Sequence, residues 1–567
     1  MLAQRVSKIL FFLLLMATGL LAGSFLFFYF VSYESLVTSV LNEINRMDLY
    51  PLIKQQYFPL HKYHLVRMIV YGVSITAAMG LLALFKYRNR ILTSLLYWTE
   101  KLLGYLVLGK QILIQNTRLI NIGLLLSLTI ILLRSIYYAA TWPIQYDEAW
   151  NYNYFLHKNI FYSIVAYNNY PLHNLVSRFF LYFLPDHVFV LRLPSILMGL
   201  CTCLLVFVMV KKIMQQEWLA LMAMIVFACL PVNVFYMLYA RGVLFEVFFA
   251  LLLSSFIFFF LKQKITLVKI GFLAILNALG TYSMLSHGYF IASSALAVAI
   301  YLLFQTDKQV RFIILYPLLS ILFSAVLLTP MMLGTGMSLG LGAGLSNGQF
   351  TTLPYLPFHS YADFATGSWW GFYVLIALNI FLLFIKSTKE YRWLLLLNMV
   401  LICTPFVIKF ITGVTPPERA LAFLVLVPLL SFVVWVKVCN LNAKTTTGLA
   451  FVWCSILVFV VHRHQKLNWS KQLDHEVYTL SKILASHQVH TIYNKCDAFN
   501  YFVPGLEYYA LSSNKSFNYT TSIKNSSRYK ASMSDGTDCV IEPQLLADKK
   551  WIYHFEDFYV YLLNEKK

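Results

Sequence analysis

Apolar runs of roughly 18 to 22 residues recur along this sequence from residue 9 to residue 462, and no other feature restricts its fold as strongly. A helix rising about 1.5 Å per residue needs about 20 residues to cross a hydrocarbon core of about 30 Å, so each run has the length of one crossing. In lipid the backbone must be satisfied within a helix or a closed barrel, and barrel strands would read as alternating stretches of about ten residues. Continuous runs therefore specify helices. The composition agrees: 59% of the 567 residues are hydrophobic, 12% are charged and the mean hydropathy is +0.68, which excludes a water-soluble globule. The expected fold class is an all-α polytopic membrane protein.

Thirteen crossings are expected, at about 9–31, 68–85, 119–138, 188–210, 217–235, 243–261, 267–284, 288–304, 312–332, 369–386, 393–411, 419–437 and 447–462. The first run follows Arg5 and Lys8 as a signal peptide would, but it is long and lacks a clean small-residue cleavage site, so it reads as a retained anchor. Ile91 to Leu108 is also apolar. Its central Glu100-Lys101 pair points to an interfacial helix instead of a crossing. Basic residues mark alternate connections (Lys86 and Arg88, Lys211-Lys212, Lys262 and Lys264, Lys308 and Arg311, Lys389 and Arg392, Lys437 and Lys444), and these are expected on the cytoplasmic side. Topology then accounts for the net charge of +20, and no nucleic-acid partner is called for. The segments 139–187 and 333–368 and the C-terminal stretch fall outside. Beyond His462 the sequence turns polar with short apolar stretches, as in a soluble α/β domain. The expected organisation is 1–118, an N-terminal helix pair with a basic inner segment; 119–462, a transmembrane core with the external loop 139–187; and 463–567, an external soluble domain.

Six of the eight cysteines lie in or beside apolar runs; Cys496 and Cys539 lie in polar sequence and are expected to form a disulfide in an oxidising outer compartment. No Cys-x-x-C or His-rich spacing suggests a structural zinc site. The Gly-rich stretch 333–368, which also holds His359, reads equally as a movable cover over a site or as a plain connector.

Chemistry-bearing residues gather where the chain is expected outside. Tyr146-Asp147-Glu148-Ala149-Trp150 follows the 119–138 run, and adjacent carboxylates there fit either a catalytic site or a solvated helix start. Tyr170-Pro171-Leu172-His173 opens a second helical stretch, and Arg192-Leu193-Pro194-Ser195 lies at the start of the next crossing. Arg241 with Glu246 five residues on, Lys409, and Pro416-Pro417-Glu418-Arg419 stand at the outer ends of later crossings.

Through these residues the chain resembles the GT-C class of membrane glycosyltransferases, in the branch of protein O-mannosyltransferases and aminoarabinose transferases. Asp147-Glu148 resembles that branch's Asp-Glu pair in a long first outer loop, Tyr170-Pro171-Leu172 its Pro-Pro-Leu element, and Arg192 to Ser195 its Arg-Leu-Pro-Ser run. Arg241 and Glu246 look like its arginine followed by an acid. The resemblance covers roughly residues 119 to 440. It departs from the pattern in the two preceding crossings, in Tyr170 where a proline is usual and in Glu246 where an aspartate is usual. Trp369-Trp370 is followed by Gly371, which differs from the Trp-Trp-Asp signature of oligosaccharyltransferases.

The resemblance implies transfer of a sugar from a polyprenyl-phosphate donor to a lipid, glycan or protein acceptor. Such a reaction needs a base for the acceptor proton and cations for the leaving phosphate. Asp147 is the expected base, with Glu148 orienting it or holding a metal. Arg241 and Arg419, then Lys409 and Arg192, are the expected phosphate ligands, although basic residues at the ends of crossings also snorkel to lipid headgroups. Tyr146, Trp150, His173 and Glu246 are candidate substrate contacts, the aromatic ones reading equally as an interfacial belt. A divalent metal near the phosphate, held by Glu148 and His287, is a further implication of the resemblance; for His157, His173, His287 and His359 a solvated or internally bonded role is the alternative. The non-enzyme rival is a transporter or flippase, against which stand the lack of internal repeats and the position of the acids at outer ends. The bacterial cytoplasmic membrane is the expected location, with the endoplasmic reticulum as the alternative.

Overall fold

The structure is a computed structural model, and it describes residues 2–43, 50–52, 54–55, 59–93, 96, 100, 116–165, 170–263, 265–305, 310–335, 369–412, 418–463, 465–487, 491–493, 502–511, 518–520, 529–535, 551–555 and 558–564. The Gly-rich stretch 336–368 with His359, most of 91–108, Pro416-Pro417, and both Cys496 and Cys539 lie outside the described residues.

The chain divides into two compact units, Met1–Gln115 and Asn116–Lys567. In the first, the long helices α1 (Leu2–Phe30) and α3 (Leu60–Lys86) pack on each other, with α2 (Tyr33–Glu43) between them in sequence. The Tyr63 hydroxyl donates to the carbonyl of Val31 at 2.5 Å and ties the end of α1 to the start of α3.

The second unit begins with α4 (Arg118–Thr141) and continues through a run of short pieces: α5 (Tyr146–Asn151), a π turn (Tyr152–Leu156), α6 (Ile160–Val165) and α7 (Pro171–Phe183). The bundle follows: α8 (Val188–Met214), α9 (Glu217–Cys229), α10 (Pro231–Tyr236), α11 (Val243–Leu261), α12 (Leu267–Ser283), α13 (His287–Leu303), α14 (Val310–Thr335), α15 (Trp369–Phe384), α16 (Arg392–Thr412), α17 (Leu426–Val438) and α18 (Ala443–Arg463). Among the described residues, seven helices of the chain are long and apolar enough to cross a membrane, and five shorter apolar helices accompany them; this is an integral membrane protein.

Position in the bundle follows from the breadth of the apolar surface. The most hydrophobic window of α11 is 78% buried and that leading into α17 is 83% buried, so these helices, apolar all round, form the centre. The corresponding windows of α4 and α14 are 22% buried, which leaves most of their apolar surface for lipid. At the other end of the bundle from α5, Lys211 pairs with Glu217 at 3.0 Å and Glu217 accepts the Thr117 backbone N–H at 3.1 Å, joining α4, α8 and α9. Side-chain networks bind helices that share no hydrophobic drive in lipid. Asn277 donates to the Tyr316 hydroxyl at 3.1 Å and to Ser320 at 2.9 Å, and Asn379 and Asn398 both donate to Ser431.

After α18 come α19 (Gln465–Ser486), β1 (Thr491–Tyr493), α20 (Val503–Leu511), β2 (Asn518–Thr520), β3 (Tyr529–Asp535), β4 (Trp551–Phe555) and β5 (Phe558–Asn564). The strands form a mixed sheet in the order β2-β1-β3-β5-β4, in which β1 runs parallel to β2 and β3 while β5 runs antiparallel to β3 and β4. Helix α20 lies on α19 through Gly505, where a Cβ would come within 2.6 Å of Val477 Cγ1, so the two helices can approach this closely only over a glycine.

Candidate active site

Chain direction changes sharply at Trp142, where α4 ends, and Pro143 precedes the turn into α5. Glu148 reaches back to accept the Gln145 N–H at 3.0 Å, the acidic half of a capping box. It does more than cap. Arg192, in the first turns of α8, donates from Nε to Oε1 at 3.0 Å and from Nη2 to Oε2 at 2.6 Å, and the Ala240 N–H donates to Oε1 at 2.5 Å. The remaining Arg192 donors go to the carbonyls of Ala139, Trp142 and Pro143. Both side chains are buried, at 1% and 0% exposure. A buried ion pair is tolerated when geometry is good and every donor has an acceptor, which is the case here.

These contacts correct two expectations. Arg192 cannot serve a donor phosphate while all its donors face Glu148 and three carbonyls. Glu148 is likewise turned into the protein, its oxygens occupied by Gln145, Arg192 and Ala240, and does not fit as a metal ligand. His287 is fully buried, its Nε2 lying 3.3 Å from Asn277 Oδ1. Among the described residues no group of three or more His, Cys, Asp or Glu could hold a metal ion.

Asp147, one residue before Glu148, faces the other way. Its carboxylate is ion-paired with Arg241, and Arg419 Nη1 lies 3.8 Å from Oδ2. Arg241 is 5% exposed, whereas Asp147 and Arg419 are 38% and 37% exposed, so the cluster opens to solvent on one side. Arg241 sits in the non-helical link between α10 and α11, and its Nε has no hydrogen-bond partner. Gly242 follows because Tyr170 and the Ser283 carbonyl pack against its Cα, leaving no room for a side chain. Burial, and then the neighbouring Arg419, push the Arg241 guanidinium down to about 9. Two cations thus share one carboxylate. The imbalance favours a second anion, and planar guanidinium groups suit phosphate oxygens.

Around this cluster, Glu246 is fully buried, accepts from Ser286 Oγ at 3.1 Å through Oε1 and leaves Oε2 without a partner. Tyr170 lies within electrostatic reach of both Arg419 and Glu246; burial raises its phenol while Arg419 acts against that. His173 is internal. Its Nε2 is 3.2 Å from Ser195 Oγ and its Nδ1 3.3 Å from Ser177 Oγ, and Ser195 donates to the Arg241 carbonyl at 3.3 Å. Burial pushes the His173 imidazole down to about 4, so it is neutral near pH 7 and braces the Arg241 backbone without adding charge. His157 lies 3.4 Å from the Tyr152 hydroxyl, which also donates to Asp186. Lys409 is half-buried near the end of α16, and the structure brings no ion pair between it and the Asp147 cluster among those described. On the open side, Tyr146, Trp150 and Tyr154 form a ladder of rings with centroids 6.3 and 4.4 Å apart.

Of the sequence candidates, then, Asp147, Arg241 and Arg419 come together, with Tyr146 and Trp150 beside them; Glu148 and Arg192 form a separate buried pair. Sequence reasoning passed over Ser195, Ser286 and Tyr170 as site residues. Tyr170 and Ser195 lie inside the motifs quoted for other reasons, and that was their only signal.

No protein-family model and no curated protein matches the sequence. Solved structures do. The ArnT of Cupriavidus metallidurans bound to undecaprenyl phosphate superposes with a TM-score of 0.51 at 9% identity, covering 78% of this chain and 98% of that one. Its apo form gives 0.50 at 9% identity, covering 78% and 99%. An oligosaccharyltransferase of Archaeoglobus fulgidus gives 0.39 at 10% identity, over 68% of this chain and 63% of that one. The chain has the GT-C membrane glycosyltransferase fold, in the form built by ArnT.

Proposed function

We propose that the protein is a membrane glycosyltransferase that moves a sugar from a polyprenyl-phosphate-linked donor to a lipid, glycan or protein acceptor on the outer face of the bacterial cytoplasmic membrane. The observation that carries this reading is the convergence of Arg241 and Arg419 on Asp147. A solvent-open pair of guanidinium groups with one carboxylate between them offers a phosphate seat and a base within one side chain's reach. The fold likeness to a protein solved with undecaprenyl phosphate supports the donor class. Thirteen crossings with basic inner connections support the outer-face location.

In the reaction the acceptor nucleophile attacks the anomeric carbon of the sugar. The bond from that carbon to the phosphate oxygen breaks, its electron pair leaves with the polyprenyl phosphate, and the acceptor proton passes to Asp147. Arg241 and Arg419 hold the negative charge that grows on the leaving oxygen. Without donor, Asp147 is their counter-ion. A donor phosphate takes over that role and frees the carboxylate for the acceptor, because a carboxylate pressed between two cations is held in its ionised form and is a weak base. The test is transfer by purified protein from a polyprenyl-phosphate sugar labelled in the sugar, offered to membrane extracts. Labelled acceptor and free polyprenyl phosphate should appear together; no transfer from any such donor would overturn the reading.

A further inference from the structure

Helix α5 has six residues, whereas an isolated helix shorter than about 12 to 15 residues is marginal even in favourable sequences. The direction in which it aims Asp147 must therefore be imposed by its surroundings. One restraint is the clamp between Glu148 and Arg192. A single clamped side chain still leaves so short a helix free to roll about that contact.

The second restraint comes from far along the chain. Helix α20 lies against α5 and the π turn, where Tyr508 is buried in one cluster with Ile144, Ala149, Tyr152, Leu156, Leu191 and Ala240. Its ring meets that of Tyr152 edge-on at 5.0 Å and 82°. Two polar contacts fix the register of this packing. The Ile144 N–H, just before α5, donates to the Tyr509 hydroxyl at 3.3 Å. Just after α5, Asn153 Nδ2 donates to the Pro504 carbonyl at 2.8 Å and lies 3.4 Å from Glu507 Oε2. The contacts bracket α5 at both ends and lie on its buried face, while Asp147 points to the open side.

We infer that α20 is a positioning element for sugar transfer, acting through Tyr509 and Asn153. By holding both ends of α5 they fix its rotation, and with it the placement of the Asp147 carboxylate against the acceptor. This rests on the reading of Asp147 as the base. The donor phosphate ligands are not carried by α5, so the contribution of α20 belongs to the transfer step and not to donor binding.

Tyr509→Phe removes one hydroxyl, and Asn153→Ala removes one amide, each outside the catalytic cluster. In purified full-length protein each should lower kcat roughly tenfold, since a misplacement of a reacting group by a fraction of an ångström acts on the transfer step, while donor KM changes by less than about twofold. The midpoint of thermal unfolding and the affinity for polyprenyl phosphate, used as the probe, should stay close to those of the unaltered protein. An unchanged kcat in both variants, or a fall in kcat that only tracks lost folded protein or weaker donor binding, overturns the inference while leaving the functional reading in place. An unaltered protein that binds polyprenyl phosphate but transfers no sugar overturns the functional reading, and the inference falls with it.

Discussion

Arg192 Nη2 lies 2.6 Å from Glu148 Oε2 in a fully enclosed pair, while the adjacent carboxylate of Asp147 is spent on Arg241 at the open edge. Two neighbouring acids on one turn of helix thus have separate duties. The first anchors the turn, and the second is presented for chemistry.

Breaking the anchor should cost stability first. Glu148→Gln leaves Arg192 buried with half its counter-charge removed, and loss of one partner of a buried pair is worth about 3 to 5 kcal/mol. The midpoint of unfolding in a denaturing detergent titration should fall accordingly. A variant as stable as the parent would mean that water reaches the pair.

Asp147→Asn should leave the fold intact and lower turnover by about 10² to 10⁴-fold, the size of a lost general base. Because Asp147 competes with phosphate for Arg241 and Arg419, affinity for polyprenyl phosphate should be kept or should rise. Binding measured by titration with the lipid, alongside transfer, checks both halves. If Asp147 merely opened a helix, asparagine would cap equally well and activity would be unchanged.

Arg241→Ala should weaken polyprenyl phosphate binding by about 10- to 100-fold, as expected for one charge-assisted hydrogen bond to an anion. Arg241→Lys should recover part of this and no more, since a lysine cannot present two parallel donors. The same titration distinguishes the three proteins.

The His173 imidazole, pushed by burial from 6.5 to about 4, makes a prediction about pH. Between those values the unfolded chain binds the proton and the folded chain does not, so stability rises with pH. The contribution is fully present above about 6.5 and is lost progressively as pH falls toward 4, by up to about 3 kcal/mol. His173→Gln should flatten the dependence of unfolding midpoint on pH across that window.

Reporters fused after Lys212, Lys264 and Lys389 should read cytoplasmic and one after Leu467 external, given the basic connections. An external signal at Lys212 would mean that Ile91 to Leu108 crosses the membrane.

The sequence made the helices and the cation cluster visible for different reasons. Crossings announce themselves by length, because lipid leaves the backbone no other option. Asp147, Arg241 and Arg419 stood out as charges at the ends of crossings on one expected side. What stayed hidden was pairing. Nothing local distinguishes Glu148 from Asp147 or Arg192 from Arg241, since the choice is made by which helix each side chain meets. For the same reason α20 was read only as part of a polar tail, because its relation to α5 spans more than 350 positions and has no period to reveal it.

The π turn at Tyr152–Leu156 closes with the His157 N–H reaching five residues back to the Tyr152 carbonyl at 2.7 Å. Relative to an ordinary helix it carries one surplus residue per turn. Deleting a single codon within it would let the segment relax to the common helix and rotate all that follows by about 100°. Trp150 and everything before it would keep their places, but the chain from that turn onward would meet α20 with different side chains. A one-residue deletion here is therefore a gentler lesion for folding than for register, and natural length variation should avoid this turn while tolerating it in loops a few residues away.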